Sequence, residues 1–232
     1  MKNVKLNNLC MLVTDKCNFK CPWCVNEGFV NKRKVFMTKE VFLKGLEWAK
    51  NNGKKGIVLN GGEPTLHPDL QEFALLAKNY GLGVYLFTNY SFPDVVKKLD
   101  LSGALDKITI SYYNQKELPK QKDFKTNIWL STLVWRNRFK SLDDFDRYID
   151  SKRNLGLTLF FQTLKDGTEW ARENKTVDFL EKIFDKTDDK GLYNKKEAIL
   201  YKNCIIKFNN KEAIDYPRHN MTMYGEIRNN FK

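Results

Sequence analysis

Histidine is nearly absent from this sequence: 232 residues contain two, His67 and His219. Neither stands at ligand spacing to other metal-binding residues, which argues against a histidine-built metal centre. Long apolar runs are missing as well. No stretch approaches the ~18 uninterrupted apolar residues of a membrane helix, and Met1 to Asn8 lacks the apolar run of a signal peptide. A soluble, cytoplasmic protein without a membrane partner is the expectation. Repeats, low-complexity stretches and obvious linkers are also lacking, so a chain of this length suits one sizeable domain that buries its own core.

Cysteine is scarce, and its placing matters more than its number. The five are Cys10, Cys17, Cys21, Cys24 and Cys204. An odd count with three crowded together makes a poor disulfide framework and reads better as a metal site in a reducing compartment. Cys10 and Cys204 alone cannot build a second cluster of the usual four-cysteine kind. Lys and Arg number 40 against 28 Asp and Glu, a formal charge of +12. Such an excess favours anionic partners such as nucleotides, RNA or acidic peptides. The basic residues are scattered, however, and a plain compositional bias towards Lys, Asn, Ile, Phe and Tyr accounts for them equally well.

Short apolar runs alternate with amphipathic stretches, the pattern of βα units on a parallel sheet. Strands are expected at Leu9 to Val13, Ile57 to Leu59, Val84 to Phe87, Lys107 to Ile110, about Ile128 to Val134, and Leu157 to Phe161. Thr38 caps one helix, with Val41, Phe42, Leu46 and Ala49 on a single face. Pro68 opens another that Gly81 closes, a short one follows Ser91, and Ser141 with Asp144 starts a fourth that ends at Gly156. A last helix is expected through Val177, Leu180, Ile183 and Phe184. Between Ser111 and Ile128 the spacing predicts only an irregular or very short helix, since a parallel crossover needs roughly a dozen residues or more.

Six such units make an α/β protein with a partial (β/α)6 TIM-like barrel over residues 1–190. Residues 191–232 form a C-terminal extension packed on it. Asn209-Asn210 between Cys204 to Phe208 and Glu212 to Tyr216 predicts a β-hairpin there, and Met221 to Arg228 another strand. The polar residues of interest follow strand ends: the cysteines, Glu63, Asn89, Ser111 and Gln162. In parallel α/β barrels that rim builds the active site.

The stretch from Thr14 to Cys24 carries the chemistry. Cys17, Cys21 and Cys24 in C-x3-C-x2-C spacing can hold three corners of an iron–sulfur cluster and leave one iron open. A zinc site is the competing reading, with Cys204 as its fourth ligand. Further on, Gly61-Gly62-Glu63-Pro64 pairs backbone permissive of close approach with a carboxylate suited to a cation. Thr88, Asn89 and Ser111 favour turns in their own right. Arg136 suits either an anion or a solvated surface. His67 reads as a helix-opening residue, Cys10 as a small buried hydrophobe and Cys204 as structural.

The cysteine motif, with the aromatic Trp23 before its last member, and the Gly61-Gly62-Glu63-Pro64 turn after the second strand together resemble the radical S-adenosylmethionine (SAM) superfamily. The resemblance implies a [4Fe-4S] cluster on Cys17, Cys21 and Cys24, with SAM chelating the open iron. It places Trp23 near the adenine and lets the backbone of Gly61 to Pro64 and Glu63 receive the SAM ammonium. Thr88, Asn89, Ser111 and Arg136 then stand where related enzymes contact SAM. It implies reductive cleavage of SAM by an external donor of the flavodoxin or ferredoxin kind, and hydrogen abstraction by a 5′-deoxyadenosyl radical.

Thr14 to Phe19 and Gly61 to Leu70 are most similar to the branch of the molybdenum-cofactor GTP cyclase and the peptide-modifying enzymes. Cys10 and Val58 replace the arginines that handle GTP in that cyclase, and its second cluster is missing, so the cyclase reaction is not expected; the resemblance to that branch implies a peptide or protein substrate. A nucleotide or RNA substrate and a glycyl-radical activase are the alternatives. Ser111-Tyr112-Tyr113 departs from the strand-end pattern of the activases. Outside enzymes, a zinc- or cluster-holding nucleic-acid-binding module without turnover fits the same cysteines and charge.

Overall fold

The computed structural model describes residues 7–26, 28–113, 117–165, 168–174, 198–207 and 219–229. Six parallel strands follow in chain order: β1 (Asn8–Thr14), β2 (Gly56–Gly61), β3 (Gly83–Thr88), β4 (Lys107–Tyr112), β5 (Asn127–Val134) and β6 (Thr158–Thr163). Each pairs with the next in register, from Leu9 opposite Ile57 to Val134 opposite Thr163. All six expected strands are present, each longer than expected by one to three residues. Ser111 and Gln162 consequently sit within strands and not after them.

Helices return the chain between strands and cover the outer face. Helix α1 (Lys39–Asn51) is capped by Thr38, whose hydroxyl accepts from the Val41 amide, and buries Phe42, Gly45, Leu46 and Ala49 at helical spacing. Phe42 stacks on Phe73 of α2 (Leu70–Asn79), ring centres 4.1 Å apart. Each such fully buried side chain contributes ~1.5–3 kcal/mol of transfer free energy. Helix α2 begins two residues after Pro68, because a 3-10 turn at Pro64–Leu66 and His67 occupy its approach. Helix α3 (Pro93–Leu101) starts on a proline, and α4 (Leu142–Arg153) is capped by Ser141 with Gly156 beyond it at φ 66°. Among the described residues between β4 and β5 the only helical element is a 3-10 turn at Gln121–Asp123, in line with the short crossover expected from sequence.

The C-terminal hairpin is there, with different arms. Cys204–Lys207 (β8) pairs antiparallel with Ala198–Tyr201 (β7) across Lys202 and Asn203. Both turn residues have positive φ, 48° and 64°, which is the two-residue geometry whose twist matches a hairpin. The expected strand Glu212 to Tyr216, its Asn209-Asn210 turn and the expected helix through Val177 to Phe184 lie outside the described residues. A five-residue helix, α5 (Glu169–Glu173), was not expected. Near the end, β9 (His219–Met221) and β10 (Ile227–Asn229) form a second hairpin, where one strand from Met221 to Arg228 was expected: residues 222–226 turn the chain between them.

Among the described residues all ten strands join one open sheet in the order β10-β9-β1-β2-β3-β4-β5-β6-β8-β7. β8 lies parallel to β6 and β9 parallel to β1, so the C-terminal residues extend the sheet at both edges. The C-terminal ends of β1 to β6 share one rim, and the cysteine loop springs from it directly after Thr14.

Candidate active site

Residues 15–36 are held in place by their own polar groups. Asp15, 2% exposed, accepts the backbone amides of Arg33, Lys34 and Val35 on its carboxylate, folding the far end of the loop back onto β1. Asn31 takes φ 58°, accepts the Cys17 amide on its side-chain oxygen and donates to the Cys17 carbonyl. Asn is among the few non-glycine residues that tolerate that backbone, so one residue turns the chain and pins the first cysteine. Farther along, the Thr168 hydroxyl caps α5 and donates to the Pro22 carbonyl at 2.8 Å, tying the loop to the chain beyond β6.

The end of β2 is joined to the same loop. Gly62 and Glu63 donate their amides to the carbonyls of Thr14 and Lys16, each at 2.8 Å. This contact requires glycine. A Cβ on Gly61, at φ 140°, would meet the Thr14 carbonyl oxygen at 2.3 Å, and one on Gly62 would meet that of Lys16 at 2.1 Å. Asn26, two residues past Cys24, donates its side-chain nitrogen to the Gly61 carbonyl at 2.7 Å.

Glu63 is 1% exposed and saturated by its own chain. Oε1 accepts from the Thr65 amide and hydroxyl and from the Thr88 hydroxyl, and Oε2 from the Asn89 amide at 2.7 Å. Burial pushes its carboxyl above the usual range, against the pull of the Asn89, Thr65 and Thr88 donors. Asn89 donates onward to Asn18 in the cysteine loop. Glu63, Thr88 and Asn89 thus form one network that clamps the ends of β2 and β3 to the cysteines. The Glu63 side chain works as a clamp, and its exposure leaves little of it open to a ligand.

The three thiols are half-buried and neighbour one another. Burial, then the charges of Cys24 and Cys17, push the Cys21 thiol up to about 11, and burial also raises Cys17. Thiols in that condition become ligands when a bound cation offsets the repulsion. Among the described residues no three His, Cys, Asp or Glu side chains gather closely enough for one metal ion. Cys204 does not complete a zinc site. It is 2% exposed, its thiol donates to the Lys202 carbonyl, and the charges acting on it belong to Arg153, Asp150, Asp146 and Lys202.

Trp23 packs on Trp135 with ring centres 4.6 Å apart, and on Tyr113 at 4.8 Å and Trp170 at 5.3 Å. Beside it opens a cavity of about 500 Å3, bounded by Trp23, Tyr112 at the end of β4, Trp135 just after β5, Arg138, Tyr148 and Lys152. Arg136 is exposed and does not line it; Arg138, two residues on, does. Ser111 is exposed on β4. Gln162 donates to the Ser131 hydroxyl on β5. His67 is structural: one ring nitrogen meets the Met37 carbonyl, the other accepts the Asp69 amide. Cys10 is half-buried and accepts from Asn60, not fully packed away as expected.

Sequence reasoning missed Asp15, Asn26, Asn31 and Arg138. Asp15 and Asn31 follow the usual preferences of turns, but their partners lie 14 to 20 residues away in the chain.

Residues 11–112 match the family model described as the Radical SAM superfamily. A Methanocaldococcus jannaschii protein named as a glycyl-radical enzyme activating enzyme is 36% identical over 95 residues, 40% of this chain and 38% of the relative. A Saccharolobus islandicus protein named as a GTP 3',8-cyclase is 37% identical over 110 residues, 47% of this chain and 35% of the relative. The chain thus matches less than half the length of either. Streptococcus suis SuiB, solved bound to S-adenosylmethionine, superposes with a TM-score of 0.67 over 97% of this chain and 60% of its own, at 12% identity. That likeness is one of fold. No helix among the described residues is long and apolar enough to cross a membrane. With C-x3-C-x2-C at the end of β1 and Gly-Gly-Glu-Pro at the end of β2, residues 11–112 are a domain of the radical SAM superfamily, enzymes whose cofactors are a [4Fe-4S] cluster and S-adenosylmethionine.

Proposed function

We propose that this protein is a radical SAM enzyme that removes a hydrogen atom from a peptide or protein. The observation that carries the reading is the cysteine loop itself. It presents Cys17, Cys21 and Cys24 on a rim to which Gly62, Glu63 and Asn89 are hydrogen-bonded. The three thiols are the cluster ligands. The cluster and SAM, when bound, supply a 5′-deoxyadenosyl radical from one electron delivered by an external flavodoxin- or ferredoxin-like donor, with methionine as the other product.

The residues around the loop suit SAM. Asn26 is 6% exposed, and because its nitrogen is committed to the Gly61 carbonyl, its oxygen faces elsewhere, buried and with no donor in reach among the described residues. A buried acceptor without a partner is costly, and an ammonium group would satisfy it. SAM carries one. Gly61 and Gly62 act by letting the end of β2 approach the loop, and Pro64 starts the 3-10 turn that Glu63 caps. Glu63, Thr88 and Asn89 are positioning residues, Trp23 walls the side where the adenine would lie, and exposed Ser111 is open to the ribose.

A peptide or protein substrate is supported by the relative named for activating another enzyme. The outer strand β7 also leaves a sheet edge to which an extended peptide could add. A nucleotide is the second reading, favoured by the cationic, aromatic cavity beside Trp23. Anaerobic reconstitution with iron and sulfide tests the reaction. Thiolate-to-iron absorbance and 5′-deoxyadenosine formed from SAM and reductant are expected, both lost in Cys17→Ala, Cys21→Ala and Cys24→Ala. One zinc per chain and no SAM cleavage would sink the reading.

A further inference from the structure

The cavity beside the cysteine loop has walls of one kind and charge of one sign. Trp23, Trp135, Tyr112 and Tyr148 supply aromatic surface, and Arg138 and Lys152 supply two cations. Among the described residues no Asp or Glu lines it. Arg138 lies with its guanidinium carbon 4.2 Å from the Trp135 ring centre and 5.9 Å from that of Tyr112. Its guanidinium meets the Tyr148 hydroxyl, but one terminal nitrogen, Nη1, is buried and has no hydrogen-bond partner among the described residues. Among the described residues no carboxylate stands within ion-pair distance of it, whereas Arg147 and Arg153 on nearby α4 are paired with Asp144 and Asp150. Lys152 lies 5.4 Å from the Tyr112 ring centre and 5.6 Å from that of Tyr148.

A buried guanidinium donor left unpaired costs free energy that a bound oxyanion would recover. The aromatic wall suits a planar body, which can pack against it whatever its exact identity. About 500 Å3 falls in the ~300–1,000 Å3 range of small-molecule sites, and a lone acidic side chain would leave most of it unfilled. SAM carries a sulfonium and an ammonium beside its carboxylate and is a net cation, so two protein cations disfavour it relative to a net anion.

We propose that this cavity is the subsite of the second, nucleotide reading of the substrate, and that it takes a planar anion of nucleotide size, its oxyanion on Arg138 and Lys152 and its ring along the wall made by Tyr112 and Trp135, in which case a nucleotide replaces the peptide as substrate. Arg138 is the specificity residue. The inference rests on the enzyme reading only in calling this ligand the substrate, because binding needs no SAM cleavage. The oxyanion is a phosphate or a ring-borne carboxylate, two sources with one recognition chemistry.

Calorimetric titration of the anaerobically reconstituted protein separates them. The probes are guanosine 5′-monophosphate, guanosine and indole-3-carboxylate. Both anions are expected to bind about tenfold or more tighter than neutral guanosine, the margin of one charge-assisted contact. Arg138→Gln removes that margin, Arg138→Lys restores part of it, and Arg147→Gln on the exposed face of α4 leaves it intact. A tighter phosphate identifies a nucleotide and a tighter carboxylate an aromatic acid; either supports the subsite. Should Arg138→Gln fail to fold by circular dichroism, Lys152→Gln takes its place, with a smaller loss expected.

Three results overturn the proposal: no binding of either anion, equal binding of guanosine, or an undiminished margin in the folded variant. So does displacement of the anion by SAM whose own affinity falls about tenfold in Arg138→Gln, since the cavity would then be the cofactor's. A protein that binds the anions and forms no 5′-deoxyadenosine would overturn the enzyme reading and leave the subsite standing.

Discussion

Glu63 shows what a single residue does for this site. Its carboxylate is almost wholly buried, yet it reaches no cation among the described residues; it gathers four donors from Thr65, Thr88 and Asn89. Glu63→Gln keeps the shape and tests the clamp. An amide has only one oxygen, so its NH2 must face either the two hydroxyls and amide at Oε1 or the Asn89 amide at Oε2. One set of donors loses its acceptor, at a cost of ~1–3 kcal/mol. The expected outcome is a lower urea midpoint and less iron per chain after reconstitution, since Asn89 and the cysteine loop loosen together. Wild-type stability in that variant would show that the network does not hold the rim.

At this scale the sequence was legible where spacing is local and illegible where partners are distant. The cysteines and Gly61 to Pro64 stand out because their chemistry depends on neighbours a few residues away. Arg136 and Arg138 are separated by one residue in a connection with no period to say which faces inward. Only the approach of Trp135, Tyr112 and Tyr148 distinguishes them.

Elements were read with more success than the contacts that join them. Short apolar runs marked β1 to β6, and Thr38 and Ser141 marked their helices by cap chemistry. Strand β7 was missed because Asn209-Asn210 is the more familiar turn signal, while Lys202-Asn203 makes the turn seen. The short crossover between β4 and β5 is held by a buried acid, Asp100 at the end of α3, which accepts from the Thr126 and Lys125 amides and lies 3.7 Å from the Lys97 ammonium. Burial opposes ionisation of Asp100, but those donors and Lys97 outweigh it and hold the carboxyl below its usual range. A depressed folded-state pKa adds stability that is present above the unfolded value and lost as pH falls through the folded one. Asp100→Asn should therefore destabilise at neutral pH by ~1–3 kcal/mol, and the gap should shrink on acidification through the usual carboxylate range, about pH 4 and below. Urea melts of both proteins across that range provide the check; a gap independent of pH would count against it.

All ten strands among the described residues form one sheet whose two edges are both supplied by C-terminal residues. β8 and β7 extend it past β6, and β9 and β10 cover the outer side of β1. The second edge matters more for chemistry, because β1 leads straight into the cysteine loop. Met221 and Met223 are 2% and 4% exposed and belong to the same core as Leu9, Met11 and Leu46. Ending the chain after residue 218 would remove both methionines, at ~1.5–3 kcal/mol each, and bare the backbone edge of a long apolar strand, a template for pairing with other chains. The expected result is a lower urea midpoint, concentration-dependent association in light scattering and reduced iron incorporation, all three together. Restoring residues 219–229 in trans as a peptide should reverse the association, because a strand that pairs with β1 in register competes with a second chain for the same amides and carbonyls. If the shortened chain stays monomeric and takes up iron normally, β1 is held by β2 and α1 alone, and the second hairpin has no part in building the site.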